Sequence, residues 1–334
     1  MTSPIAIIGA GGWGTALAIT LGRAERDVRL WASENYLVDT IRATGENPLY
    51  LPGARFPRQH VLVTNSMQQV LEGAGIVIIA VPSHVFRSVV ERMMSHLSQG
   101  MLYVSAAKGI ENTTLMRMSE VVIDAVGKQF VPRVAALSGP TFAAEVAAGE
   151  PTALVVASTK EELRLFLQKE LSTPRFRLYT NADIVGVEIG AAVKNIIAIA
   201  AGVIEGLGLG SNATAALITR GLAEITRLVV ACGGRRETLF GLAGLGDLIL
   251  TSYGRLSRNR QVGISLGQGR SIEEITSNMR MVAEGVKTAK STVDLAQKVG
   301  VEMPIVEKMY EVLYEGLQPQ EAINDLMERK LREE

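Results

Sequence analysis

The sequence predicts an α/β fold in two parts, a mostly parallel sheet domain over residues 1–182 followed by an all-helical domain over residues 183–334. Three observations carry this expectation. Up to about Asn181, short apolar runs alternate with segments of helical period, the pattern of parallel strands joined by helices that cover both faces of a sheet. Beyond Asn181 no convincing strand follows, and long helical runs take over. The first strand, moreover, leads into a glycine turn and a helix within IAIIGAGGWGTALAITL, Ile5–Leu21.

Taken in order, the expected strands are Ile5–Ile8, Val28–Trp31, Val61–Val63, Ile76–Val81, Leu102–Ser105, Val134–Leu137, Ala153–Ala157 and one near Arg175–Tyr179. Helical period appears between them, as in Val85–Leu97 and Thr114–Val126. The second half reads as helices over Ile184–Glu205, Ala213–Ala231, Arg258–Leu266, Glu284–Val299 and Pro304–Tyr314, the first of them with TNAD as its cap region. The run Ile184–Ile204 is apolar and long enough to cross a bilayer. Glu188, Lys194 and Asn195 near its middle are costly in lipid, so it reads as a buried core helix. Gly206, Gly208 and Gly210 follow a helix and read as a helix–helix turn.

Hydrophobic residues make up 47% of the 334-residue chain and charged residues 20%, ordinary for a globular protein with a sizeable core. Lys+Arg and Asp+Glu both number 34, so no net field favours nucleic acid or a membrane surface. The one cysteine, Cys232, allows no internal disulfide and reads as a small packed residue on a helix. A cytoplasmic setting is expected. MTSPIAIIG enters a strand directly, and no signal peptide is expected. His60, His84 and His96 lack metal-ligand spacing, and no metal site is expected.

Gly9, Gly11 and Gly14 form G-x-G-x-x-G between a strand and a helix. This is the Rossmann-type fingerprint for a dinucleotide. Gly9 permits the tight turn, Gly11 lets the backbone approach a pyrophosphate, Gly14 lets the helix pack close to the strand, and the helix N-terminus offers N–H groups to the anion. A glycine turn that binds nothing is the competing reading, and the place of this turn at the head of an alternating sheet argues against it. The choice between NAD and NADP stays open on these residues. Where an acid often meets the ribose hydroxyl the chain has Trp31, followed by Ser33 and Glu34. Glu34 suits the ribose, Ser33 can donate to a phosphate, and Arg29 lies on the strand itself.

Lys194, in GVEIGAAVKNIIAIAAG, has Val187, Gly190, Ala191, Ile197, Ala198 and Ala201 as its helical neighbours. A solvated lysine keeps polar company, and this one has none. Burial favours a neutral amine unless an acid pairs with it, which suits a general acid/base; a structural lysine in a buried ion pair is the alternative. Asn195 stands beside it. Asp247, in GLAGLGDLILT, is an isolated carboxylate that calls for a cation, with Lys194 the candidate and an N-cap role the alternative. GRLSRNR gathers Arg255, Ser257, Arg258, Asn259 and Arg260, a donor set for phosphate or else a solvated basic face. Lys108 in SAAKGI follows a strand at the carboxyl edge, where ligands of open α/β sheets bind. In LSGPTFAAEV a strand ends, and Gly139, Pro140 and Thr141 open a helix, with Pro140 near its start.

In this order and spacing, GAGGWGTALA, LPG, VPSHVF, AAKGI, SGPTFAAE, GAAVKN, GLGDL, SRNR and VAEG resemble the NAD(P)-dependent sn-glycerol-3-phosphate dehydrogenases of the bacterial type, over about residues 4–325. The resemblance implies reversible reduction of dihydroxyacetone phosphate to sn-glycerol 3-phosphate for glycerophospholipid synthesis. It implies Lys194 as proton acceptor, positioned by Asp247. Lys108, Gly139, Thr141, Asp247, Ser257, Arg258 and Asn259 match substrate contacts, and Gly12, Trp13, Lys108, Ala143, Arg258, Val282 and Glu284 match cofactor contacts. Ser33 stands where the family often has a basic residue or His, and Gly12 where Ser is common. NADPH or NADH is the expected cofactor, NADPH favoured. The site is expected to draw on both domains, in a homodimer without nucleic acid or membrane insertion. A 3-hydroxyacid or 6-phosphogluconate type dehydrogenase has the same domain pairing, but GPTFA and SRNR speak against it. A dinucleotide-sensing protein without turnover has no need of Lys194.

Overall fold

The computed structural model describes residues 3–277, 279 and 283–330. The chain divides into two compact units. One takes the residues up to Lys108 together with Met116–Ile184, the other takes Gly109–Leu115 together with the residues from Val185 on.

In the first unit the apolar runs become β1 (Ile5–Ile8), β2 (Val28–Trp31), β5 (Val61–Thr64), β6 (Ile76–Ile79), β7 (Leu102–Ser105), β8 (Arg133–Ser138), β9 (Thr152–Ala157) and β10 (Phe176–Asn181) of one sheet, with a separate hairpin of β3 (Glu46–Asn47) and β4 (Leu51–Arg55). The sheet order is β10-β9-β8-β7-β6-β1-β2-β5. Its neighbours are parallel except at β8–β9, where Ala136 lies opposite Ala157 in antiparallel register. The joining helices are α1 (Gly12–Arg23), α2 (Asn35–Thr44), α3 (Met67–Leu71), α4 (Phe86–Met93), α5 (Met118–Val126), α6 (Ala143–Ala148) and α7 (Glu161–Leu171). Strand residues alternate between two cores because successive side chains point to opposite faces. Ile5 and Ile7 pack with Leu17 of α1 and Leu167 of α7, whereas Ala6 and Ile8 pack with Val70 of α3, Phe86 of α4 and Val121 of α5. β1 lies between β2 and β6, so the winding reverses at its carboxyl end, where open α/β sheets bind their ligands.

Some expectations are corrected. The strand begun at Ile76 ends at Ile79 rather than Val81. The helix expected from Thr114 begins at Met118, because Gly109–Leu115 leaves the sheet unit and places Ile110 and Leu115 among the helices of the second. Pro140 is not in a first helical turn: α6 starts three residues later, after Phe142.

From α8 on, the regular elements among the described residues are all helical: α8 (Ile184–Gly206), α9 (Ser211–Ala231), α10 (Asp247–Tyr253), α11 (Arg258–Gly267), α12 (Ile272–Ser277), α13 (Glu284–Val299), α14 (Pro304–Tyr310) and α15 (Pro319–Met327). Asn181 Oδ1 accepts from the Asp183 N–H at 2.8 Å just before α8, as a cap region does. Among the described residues α8 alone is long and apolar enough to cross a membrane, and 94% of that stretch is buried inside the protein. Every residue from Gly186 to Ile204 is buried. α8 and α11 touch backbone to backbone: a Cβ on Gly202 would stand 2.1 Å from the Arg260 carbonyl oxygen, and one on Gly263 would stand 1.9 Å from that of Ile199. The run expected as one helix from Pro304 to Tyr314 changes to a wider π turn at Glu311. Cys232 is the half-buried residue that ends α9 rather than a member of the helix.

Buried Glu224 of α9 ties α14 in place. Its carboxylate accepts from the Ile305 N–H at 2.9 Å and the Val306 N–H at 3.3 Å. Burial pushes its pKa up to about 7, against those two bonds and Arg227.

Candidate active site

The first group of site residues follows from the glycine turn. Gly9 has a φ of +115°, a region that L side chains rarely adopt. A Cβ on Gly14 would stand 1.9 Å from the Gly9 carbonyl oxygen, so only glycine lets α1 lie this close to β1. A Cβ on Gly11 would meet nothing within 4 Å. The backbone there borders open space, as a pyrophosphate requires. The first N–H groups of a helix have no partner within it, and the first turn of α1 has no acidic residue to repel an anion. These features fit the phosphates of a dinucleotide. The turn is held by buried Asn47, whose Nδ2 donates to the Ala10 carbonyl at 2.8 Å and to Thr15 Oγ1 at 2.9 Å. Gly12 packs near Tyr50 and Ala143, and the Trp13 ring lies 6.4 Å from that of Phe176.

At the neighbouring strand ends, Lys108 Nζ donates to the Gly139 carbonyl at 3.0 Å, and Thr141 Oγ1 donates to the same oxygen at 3.2 Å. Gly139 has a φ of +153°, and a Cβ there would stand 2.8 Å from Leu154 Cα. Lys108, Gly139 and Thr141 thus form one polar corner after β7 and β8. At the end of β2, Trp31 is buried and Ser33 exposed. A separate cavity, lined by Ile5, Ile76, Leu102 and Arg133, lies at the opposite, amino edge of the sheet and holds none of these residues.

In the helical unit Lys194 is 4% exposed and Asp247 1%. Lys194 Nζ donates to Asp247 Oδ1 at 2.9 Å and also to Thr251 Oγ1. The Thr251 hydroxyl in turn donates to the Asp247 carbonyl at 2.7 Å. Asp247 is the first residue of α10, not its cap, and it reaches this place through the π turn Leu242–Gly246. The small face of α8 admits that turn: a Cβ on Gly190 would stand 3.1 Å from Leu239 and 4.0 Å from Gly244 Cα.

Beside this pair, Asn259 Nδ2 donates to Asn195 Oδ1 at 3.0 Å, and Asn259 Oδ1 accepts from the Gly285 N–H at 3.0 Å. Ser257 Oγ caps α11 by accepting from the Arg260 N–H at 3.2 Å. Arg260 pairs with Glu205, whereas exposed Arg255 stands apart in the GRLSRNR segment. Arg258, first in α11, keeps an exposed side chain. Crowding by the surrounding protein still lowers its pKa, with Glu284 acting the other way. A guanidinium in that setting gains much from an anion. Val282 lies outside the described residues.

In the helical unit the structure joins Lys194 to Asp247, and joins Asn259 to Gly285 and to Asn195, the residue after Lys194, with Ser257 and Arg258 just before Asn259 and Glu284 just before Gly285. In the sheet unit it brings Gly9, Gly11, Gly12, Gly14 and Ala143 together, and Lys108, Gly139 and Thr141 beside one another. Thr251 is a further member that the sequence reading passes over. Its signal is spacing alone, four residues after Asp247 on one helix face. Asn47 has no such signal, since it acts from a two-residue strand.

Comparison with known proteins shows the family. Residues 4–164 match the family model for the N-terminus of NAD-dependent glycerol-3-phosphate dehydrogenase, and residues 183–324 match the model for its C-terminus. A glycerol-3-phosphate dehydrogenase (NAD(P)+) of Koribacter versatilis is 55% identical over 329 residues, 98% of this chain and 97% of its own. One from Syntrophotalea carbinolica is 51% identical, covering 99% of both chains. The crystal structure of glycerol-3-phosphate dehydrogenase from Coxiella burnetii is similar with a TM-score of 0.94 and 43% identity, over 98% of this chain and 99% of that one.

Proposed function

Because the chain belongs to the NAD-dependent glycerol-3-phosphate dehydrogenase family, we propose that it interconverts dihydroxyacetone phosphate and sn-glycerol 3-phosphate with a nicotinamide dinucleotide, on the route to glycerophospholipids. The observation that carries the mechanism is the buried Lys194–Asp247–Thr251 cluster, with Asn259 bonded to Asn195, the residue after Lys194.

Gly11, Gly12 and the first turn of α1 hold the pyrophosphate through backbone N–H groups. When bound, the reduced nicotinamide supplies a hydride for the C2 carbonyl carbon. Lys194 gives its proton to the carbonyl oxygen as negative charge develops there, and takes a proton from the C2 hydroxyl in the reverse direction. Asp247 and Thr251 aim the amine, each accepting a hydrogen bond from it. Arg258 grips the substrate phosphate, with Asn259 and Ser257 beside it. Binding energy from this non-reacting group holds the carbonyl in place for reaction. Lys108, Gly139 and Thr141 complete the substrate contacts from the sheet unit, and Trp13, Ala143, Val282 and Glu284 those to the cofactor. Both NADPH and NADH serve, with NADPH ahead. The enzyme works as a cytoplasmic homodimer.

Initial rates with dihydroxyacetone phosphate, using NADH and NADPH in parallel, test this reading. Turnover with both is expected. Turnover of 3-hydroxyacids or 6-phosphogluconate in place of the triose phosphate overturns it, and oxidation of neither cofactor with any substrate points to a sensor. A preference for NADH beyond about tenfold, ~1.4 kcal/mol, reverses the cofactor order and makes Glu34 the ribose acid. Sedimentation equilibrium tests the dimer.

A further inference from the structure

We propose that Arg92 reads the 2′-phosphate of NADPH and that Glu34, of opposite charge at the same strand end, favours the free ribose hydroxyl of NADH. The family's cofactor naming leaves this choice open, and no residue of the β2–α2 turn supplies a cation. The inference rests on the reading above that the chain accepts NADPH.

β2 ends at Trp31, and the carboxyl end of this strand is where the adenosine ribose lies in a sheet wound this way. The Trp31 ring is buried, and its indole N–H donates to the Asn65 carbonyl at 3.0 Å, which fixes its orientation. Over that ring stands the Arg92 guanidinium, its central carbon 5.1 Å from the ring centroid. Arg92 comes from the last turn of α4, far from Trp31 in sequence, and its side chain is exposed. Among the described residues no carboxylate pairs with it. An aromatic face that holds a guanidinium in this way leaves the N–H edge of its planar fork for an oxyanion. Ser33 follows Trp31 by two residues and is exposed, a hydroxyl donor for the same phosphate.

Glu34 lies on the other side of the question. It acts on Tyr50, whose phenol is raised first by burial and then by Glu34 and Tyr36. Tyr50 is the residue whose carbonyl packs on Gly12 of the glycine turn. A carboxylate there attracts a hydroxyl and repels a phosphate. The competing account gives Arg92 a structural role, as a cover for Trp31 and a cation at the carboxyl end of α4. That account forecasts equal effects on both cofactors.

The test is isothermal titration of the full chain with NADPH, NADH and adenosine 2′-monophosphate, for wild type, Arg92→Gln, Arg92→Lys and Glu34→Gln. Arg92→Gln is expected to weaken NADPH by about 10- to 100-fold, as loss of one charge-assisted bond does. The monophosphate should weaken in parallel, while NADH stays within about twofold and so reports an intact fold. Arg92→Lys should recover part of the loss, and Glu34→Gln should tighten NADPH. If NADPH and NADH change together, or neither changes, Arg92 is structural and the inference is overturned. The wild-type ratio separately tests the preference for NADPH: a wild type that binds both equally, with NADPH binding still lost on Arg92→Gln, overturns that preference and leaves the inference standing.

Discussion

Replacement of Lys194 by methionine keeps the length and apolar volume of the side chain and removes its proton. In the native site the ammonium donates to Asp247 Oδ1 at 2.9 Å, and the two side chains are only 5% and 2% exposed. Removing one partner of such a pair leaves a buried, unmatched carboxylate, which costs about 3–5 kcal/mol. Lys194→Met alone is therefore expected to lower stability by that amount. Asp247→Asn in the same chain removes the stranded charge and should restore most of the loss, so a double-mutant cycle isolates the pair. Rate behaves differently. If Lys194 moves the proton, turnover falls by at least about 10²-fold in the single variant, and the double variant stays as slow despite its recovered stability. Denaturant unfolding, cofactor titration and initial rates on the same samples give all three quantities. NADPH binding at the glycine turn should persist in both variants. Native turnover by folded Lys194→Met with cofactor bound would falsify the assignment and move the search to Lys108.

Gly11→Ala should leave thermal stability unchanged, because its Cβ meets nothing within 4 Å, yet weaken dinucleotide binding; Gly14→Ala should lower both, since its Cβ would stand 1.9 Å from a carbonyl oxygen. A Gly11→Ala chain with native cofactor affinity refutes the pyrophosphate reading of that space. Arg258→Ala should raise KM for dihydroxyacetone phosphate sharply, with lysine restoring it only in part for want of the planar fork; a native KM makes the segment a solvated face. Glu224 has a folded pKa of about 7 against an ordinary 4.5, so the folded state binds the extra proton between those values. Stability is therefore highest below about pH 4.5 as far as this group goes, and falls as pH rises to about 7. Glu224→Gln should flatten that slope in a urea series across the window, and a slope unaltered by the substitution refutes the assignment.

The sheet is legible because its strands are short apolar runs set between segments of helical period, from β1 at Ile5 to β10 near Tyr179. Long-range pairing was not: the antiparallel turn of β9 against β8 leaves no mark on either run. The hairpin of β3 and β4 was invisible as well, since two residues have no period and β4 carries Pro52 and Gly53. Lys194 stood out through its apolar company, and a lone buried carboxylate made Asp247 its partner. The expected strand end at Trp31 was right, but the cation above it comes from α4, and no local rule joins residues 31 and 92. Asn259 illustrates a different limit. Read as a donor for ligand, it is already engaged by Asn195 and Gly285, so its amide also sets the spacing of three helices.

The glycine contacts between α8 and α11 make these two helices a fixed caliper. Lys194 sits on one jaw and Arg258 at the head of the other, and backbone packed on backbone at Gly202 and Gly263 leaves no soft side chain to absorb a change in opening. If Lys194 moves the proton and Arg258 grips the phosphate, as proposed, chain-length selectivity is a property of helix packing rather than of the residues that touch substrate. A phosphorylated ketone one carbon longer should lose kcat more than it gains KM, and equal kcat for the two lengths would show that the jaws yield.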